Sequence, residues 1–174
     1  MSLHPAQKKR YYGKYQGQVI NNLDDKQMGR VQVTVPAVTG EQISTWAMPC
    51  VPAAGIQAGL FIVPAIGSKV WIEYEQGDPD YPIWTGGYWG SAAEVPPLAL
   101  AAPPGLQNIL LQTTQQNTLL ITDTPGPQGG IVLKSTGGSM LIVNDTGIYL
   151  TNGAASITLI GNTVAVNETA LTVM

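Results

Sequence analysis

The chain has 174 residues and a formal charge of −3, and only 11% of its positions are charged, against about 25% in an ordinary soluble domain. An apolar content of 44% with 20 glycines and 13 prolines excludes the disordered and low-complexity classes, which need high net charge or roughly 25–30% Gly plus Pro. No run of about 20 apolar residues could form a membrane-spanning helix. Lys8-Lys9-Arg10 leads into Tyr11-Tyr12-Gly13 rather than an apolar run, so no signal peptide is expected, and the single Cys50 excludes an internal disulfide.

Period-2 patterns dominate from the start, and no window carries a capped helical period. After a basic arm at 1–11, residues 12–22 read as a strand that ends in the turn Asn21-Asn22-Leu23-Asp24-Asp25. In 29–36, Val31, Val33 and Val35 share one face and Gln32 and Thr34 the other. Residues 45–50 form a shorter candidate. In 69–76, Val70, Ile72 and Tyr74 oppose Trp71, Glu73 and Glu75. Gly77-Asp78-Pro79-Asp80 is a turn by composition, and 81–88 supply a last strand. Five strands in about 80 residues suit a small closed barrel, placed at 12–90.

The alphabet then changes. Eleven of the twelve aromatics precede residue 90, while twelve threonines fall in 108–174. Residues 1–97 hold seven Lys/Arg and eight Asp/Glu; residues 98–174 hold only Lys134, Asp123, Asp145 and Glu168. The stretch 91–107, with Pro96-Pro97 and Pro103-Pro104, reads as a connector. Beyond it come eight short strands, at 108–113, 118–122, 130–135, 140–144, 147–151, 156–160, 163–166 and 170–173, with aliphatics at i and i+2 and Gly, Asn, Asp or Ser at the joints.

Each of these units offers two or three apolar side chains on one face, and a single thread of them has no second layer to cover that face. A single-chain solenoid would have only three or four coils. Three chains wound together solve the problem: apolar stripes meet at the axis, neighbouring chains close the strand edges, and a Thr/Asn/Gln-rich outer face meets water. At about 4.7–4.8 Å per strand, eight units make a rod of roughly 35–40 Å. The axial core is assigned to Ile148, Leu150, Ile157, Leu159, Val164 and Val166.

The order Gly29-Arg30-Val31-Gln32-Val33, then Trp46-Ala47, then Phe61-Ile62-Val63-Pro64-Ala65-Ile66-Gly67-Ser68-Lys69-Val70, then Gly77-Asp78-Pro79-Asp80-Tyr81-Pro82-Ile83 and Thr85-Gly86-Gly87 resembles the N-terminal OB-fold domain of the phage baseplate assembly protein V family, relatives of the VgrG proteins of type VI secretion. The resemblance covers roughly 12–90. Its signature turn, Gly77, Asp78, Pro79, Asp80 and Pro82, is made of fold residues: glycines where φ is positive, Pro79 in a tight turn and Pro82 at a strand start. The resemblance implies an all-β chain, an OB-fold barrel followed by an intertwined trimeric β-helix or β-prism needle at 108–174. It also implies a structural spike of a contractile tail baseplate or VgrG-like injection system. Such a homotrimer sits under a tail tube hub protein and touches the target membrane when the sheath contracts. It would be located in a virion baseplate or extracellular particle after assembly in the bacterial cytoplasm. Some members carry a lysozyme domain between barrel and needle, and 17 connecting residues leave no room for one. Others end in an iron-binding His-x-His apex, and the one histidine here is His4. No cofactor, no metal and no enzymatic activity are therefore expected. The end Leu171-Thr172-Val173-Met174 suggests an apolar platform of Leu171, Val173 and Met174 for a PAAR-type tip protein.

Competing readings rest on fewer residues. Glu73 and Glu75, at i and i+2, fall within range of a glycosidase carboxylate pair, yet a solvated strand face explains them. Lys8, Lys9, Arg10 and Lys14, interleaved with tyrosines, could serve single-stranded nucleic acid binding by an OB fold, but the acid balance of 1–97 argues instead for a hub-docking arm. Trp84, Tyr88 and Trp89 could bind sugars, as in a tail adhesin. Cys50 has no neighbouring base that would activate a thiolate and reads as a buried small hydrophobe. Asn144 and Asn167 sit in glycosylation sequons that carry no weight without a secretion signal.

Overall fold

The computed structural model describes residues 8–168 and 170–173, and for Thr172 and Val173 it describes the backbone alone. Residues 1–7 of the basic arm, with His4, and Met174 of the expected platform lie outside the described residues. Contacts divide the chain into two compact units between Gly90 and Ser91.

In the first unit, β1 (Tyr15–Asn21) and β2 (Gln32–Thr34) are followed by one helical turn, α1 (Pro36–Thr39), which Pro36 opens at the position where a missing N–H costs least. The short β3 (Met48–Pro49) precedes a two-residue-per-arm hairpin, β4 (Ala54–Gly55) and β5 (Ala58–Gly59), then β6 (Lys69–Tyr74) and β7 (Pro82–Tyr88). The sheet order is β2-β1-β6-β7-β3, antiparallel except for the parallel β3/β7 pair. Closure comes from the chain just before β3: Val31 and Ala47 exchange backbone hydrogen bonds of 3.2 and 2.7 Å, and the Ser44 amide donates to the Val33 carbonyl at 2.8 Å. The segment 43–50 thus bridges β2 on one side and β7 on the other, and the sheet curls into a barrel with no long free edge.

Alternation fills that barrel. Val31, Val33, Val35, Val70 and Ile72 are fully buried, with Val19, Ala47, Tyr74 and Trp84 completing the core. Cys50 is exposed, which corrects the expectation of a buried thiol: its amide pairs with the Trp84 carbonyl at 2.9 Å at the barrel rim rather than inside it. The hairpin at 54–59 has no alternating apolar pattern and is not foreshadowed by periodicity.

The connector is not featureless. It holds two 3-10 turns, Ala92–Glu94 and Pro97–Leu100, and the Asn108 side-chain amide donates to the carbonyls of Leu98 (3.4 Å) and Ala99 (3.2 Å). Eight strands follow: β8 (Asn108–Gln112), β9 (Thr118–Thr122), β10 (Gly130–Lys134), β11 (Met140–Asn144), β12 (Gly147–Thr151), β13 (Ser156–Ile160), β14 (Thr163–Val166) and β15 (Leu171–Val173). They form one antiparallel meander in sequence order. Edge closure, assigned above to neighbouring chains, is therefore met within the chain, and only β8 and β15 keep a free edge. Short turns make this pairing local. Asn144 accepts from the amides of Thr146 and Gly147, Asn152 from those of Ala154 and Ala155, and Asn167 from that of Ser156. The asparagines are turn residues, and this accounts for both sequons.

Candidate functional site

The register of the meander sorts its side chains into lines that cross all eight strands. One line runs Ile109, Ile121, Ile131, Val143, Ile148, Leu159, Val164 and Val173. The second runs Leu111, Leu119, Leu133, Leu141, Leu150, Ile157, Val166 and Leu171. Every one of these sixteen positions is aliphatic. Both lines belong to one face, since strand residues two apart point the same way. In the single chain that face is uncovered: Leu150 is 50% exposed and Ile157 39%. All six residues assigned to the axial core, Ile148, Leu150, Ile157, Leu159, Val164 and Val166, lie on it. An aliphatic face of this extent on one sheet layer demands a partner of matching chemistry.

Leu171 and Val173, expected as a separate tip platform, occupy register positions that continue the two lines, opposite Val166 and Val164. The β15 end of the sheet, like the β8 end, keeps a free backbone edge.

The opposite face is less polar than expected. Its central line begins Leu110, Leu120, Val132, Ile142 and Tyr149 and turns to Thr158, Ala165 and Thr172 only from β13 onward. Mostly Thr, Asn, Gln, Ser and Met flank it, together with Lys134, Ile160, Gly130 and Gly147, and Leu120 is already 8% exposed in the single chain.

In the first unit the basic arm is clasped to the signature turn. Lys8 Nζ lies 2.5 Å from carboxylate oxygens of both Asp78 and Asp80, and Arg10 lies 3.3 Å from Asp78. Lys14 pairs with Glu73 at 3.1 Å and donates to Thr85 Oγ1 at 2.8 Å. The Tyr11 amide donates to the Gly77 carbonyl at 2.8 Å. Lys9 lies 5.0 Å from the Tyr11 ring centre. The hydrogen bond from Lys8 holds the Asp78 carboxyl below the usual carboxylate range, and the two aspartates raise Lys8 in turn. Tyr11, Tyr15 and Tyr74 pack ring on ring at 5.8–6.1 Å, and burial pushes the Tyr74 hydroxyl up to about 12. The cations that would serve a nucleic-acid backbone are thus mostly spent inside the domain.

The other sharp readings meet similar facts. Glu75 leaves the strand for a 3-10 turn, Glu75–Gly77, so it does not continue the strand face of Glu73. Trp84 is 6% exposed, and its indole N–H donates to the Gly29 carbonyl at 3.1 Å. Tyr88 packs on Trp71 at 4.7 Å, while Trp89 is exposed. Among the described residues no group of three His, Cys, Asp or Glu could hold a metal.

Two motif residues find a role that spacing alone did not give. Arg30 Nε donates to Asp24 at 2.9 Å, its NH2 group reaches Asp25 at 2.7 Å, and its guanidinium stacks 5.1 Å from the Trp46 ring centre. Arg30, helped by the amides of Lys26, Met28 and Arg30, holds the Asp24 carboxyl well below the usual range. The Gly-Arg and Trp-Ala pieces of the pattern are therefore two halves of one clamp on the loop 22–30.

Comparisons with known proteins agree with this division. Residues 15–89 match the type VI secretion system/phage-baseplate injector OB domain, and residues 108–172 match the phage baseplate V C-terminal trimerisation domain. The chain is also 38% identical over 76 residues to the actin cross-linking toxin VgrG1 of Vibrio cholerae serotype O1, a match that covers 41% of this chain and 7% of that protein. With a barrel matching the injector OB domain and an uncovered aliphatic face matching a trimerisation domain, the chain belongs to the VgrG-like phage baseplate spike family.

Proposed function

We propose that the homotrimer is the central spike of a contractile tail or secretion particle. Its OB units dock beneath the tail tube hub, and its second units form the needle that is driven through the target envelope when the sheath contracts. The observation that carries this reading is the pair of uninterrupted aliphatic lines across all eight strands. Three such faces turned inward make a continuous core with no polar gap, the construction a rod under compression requires. The driving work comes from contraction, so the protein contributes rigidity rather than catalysis, and no residue is assigned to a reaction. A PAAR-type protein caps the end at β15, where a free strand edge offers backbone hydrogen bonds to a partner.

Light scattering on the purified chain tests the assembly: a trimer that resists SDS without heating is expected, and a monomer or dimer overturns the proposal. Particles carrying Thr158→Lys test the piercing role. The substitution puts three cations on the polar face of the needle, and it should leave the trimer mass unchanged while lowering delivery into target cells. Unchanged delivery would remove piercing from the assignment.

A further inference from the structure

We infer that the loop 42–68 of the OB unit is a second trimer contact, in which the hairpin tips of three copies meet about the threefold axis. The inference rests on the trimeric spike reading and extends it to the first unit.

The loop presents apolar side chains to solvent on a firm support. Ile56, at the tip of the β4/β5 hairpin, is 98% exposed, Phe61 70% and Ile66 60%. These residues are not loose. The Leu60 amide donates to the Ala53 carbonyl at 3.0 Å, and the Asn22 side chain ties the loop down through the Pro64 carbonyl at 3.0 Å. The Phe61 ring lies against Gly29, where an added Cβ would come within 3.2 Å of it. Beside the hairpin opens a groove of about 720 Å³ whose walls include Met28, Met48 and Leu60, a place for a neighbour's apolar side chains. An exposed patch this apolar marks an interaction site rather than an ordinary surface.

Its charge pattern names the partner. From Gln42 to Ser68 there is no Asp, Glu, Lys, Arg or His, although Glu41 and Lys69 flank the segment and the rest of the OB unit is charged. At hairpin tips that meet on the threefold axis an ionised side chain would face two copies of itself, so like-charge repulsion is built in there. A hub of different sequence could supply opposite charge and imposes no such exclusion. The aliphatic lines of the second unit obey the same rule.

Tethering makes even a modest contact effective. The trimerisation domain begins at residue 108, and the 17 residues of the connector span at most about 56–61 Å fully extended. Three OB units on such tethers meet at effective concentrations on the order of millimolar.

Oxidative cross-linking of the full-length chain with Cys50→Ser and Ile56→Cys tests this. Three thiols about one axis can form one disulfide per trimer. Non-reducing gels should therefore show cross-linked dimers approaching two thirds of the chains, unchanged on hundredfold dilution. The control with Cys50→Ser and Tyr81→Cys, in the exposed signature turn, should stay uncross-linked. Light scattering on the same samples separates the outcomes. A trimer mass with Ile56→Cys uncross-linked, or cross-linked only in proportion to concentration, overturns this contact and leaves the spike reading standing. A monomer mass overturns both. A trimer in which Ile56→Cys becomes protected from maleimide only when a hub protein is added assigns the loop to the hub and also overturns the inference.

Discussion

Truncating one residue of the aliphatic lines, Leu150→Ala, should weaken the trimer far more than the single chain. A fully buried Leu→Ala change costs about 2–5 kcal/mol. Leu150 is 50% exposed in the isolated chain, so about half of that loss, roughly 1–2.5 kcal/mol per chain, is felt only on association. Three copies make about 3–7 kcal/mol per trimer, and at 1.4 kcal/mol per tenfold the association constant should fall by about two to five orders of magnitude. Thr158→Ala, in the central line of the opposite face, is the matched control and should stay within about 0.5 kcal/mol. Sedimentation equilibrium over a dilution series reads both. If Leu150→Ala and Thr158→Ala shift the monomer–trimer balance equally, the aliphatic lines are not the trimer core and the reasoning fails.

Gly77 has φ +76 and an added Cβ would sit 3.0 Å from the Tyr12 ring, whereas Gly13 has φ +85 with nothing within 4 Å. Gly13→Ala should cost only the left-handed strain of about 1–2 kcal/mol, and Gly77→Ala distinctly more, read as a lower urea midpoint of the OB unit. The arm clasp should be flat in pH across the neutral range. Asp78 lies below its ordinary 3.8, so its contribution is complete above that value and is lost as pH falls through its folded value. Lys8 lies above its ordinary 10.5, so its contribution is complete below that value and is lost as pH rises through its folded value. The protection factor of the Tyr11 amide, corrected for the intrinsic pH dependence of exchange, should show this plateau, and Asp78→Asn should lower it at neutral pH. Deleting residues 169–174 should abolish capture of a PAAR-type tip protein in a pull-down while the mass remains trimeric; undiminished capture would place the tip contact elsewhere.

The strands of the second unit were legible because strand, face and register share one period. In 147–151 and 156–160 the apolar positions two apart fix both the strand bounds and the face, and an antiparallel turn fixes the partner, so Ile148 finds Leu159 and Leu150 finds Ile157 without long-range information. The barrel strands were legible for the same reason at Val31, Val33 and Val35. The hairpin at 54–59 was not: Ala-Gly on both arms has no alternation, and the segment that follows it is held by residues far off in sequence, Asn22 on the Pro64 carbonyl and Gly29 against the Phe61 ring. Arg30 and Trp46 stand sixteen apart on the chain, and only the closed barrel brings the guanidinium over the ring. The clasp of Lys8 on Asp78 and Asp80 spans about seventy residues, and the sum of charges over 1–97 conceals it.

The scarcity of charge in the second unit has a different cause on each of its faces. On the aliphatic face a charge would be buried and repeated three times about the axis, and the register leaves no position for one. On the other face the central line changes from Leu110, Leu120, Val132, Ile142 and Tyr149 to Thr158, Ala165 and Thr172, while strands of five residues shorten to four in β14 and three in β15. The end nearest the proposed tip is therefore hydroxylated and poor in charge, with Glu168 in the last turn as the one Asp, Glu, Lys, Arg or His after Asp145. A charge at the bilayer centre costs about 2.5–3.5 kcal/mol, and symmetry triples that cost, whereas a threonine satisfies its hydroxyl on nearby backbone and carries no ion shell. Under the proposed piercing role, an end that enters and leaves hydrocarbon gains from carrying little charge, and beyond Asp145 this chain places there only Glu168.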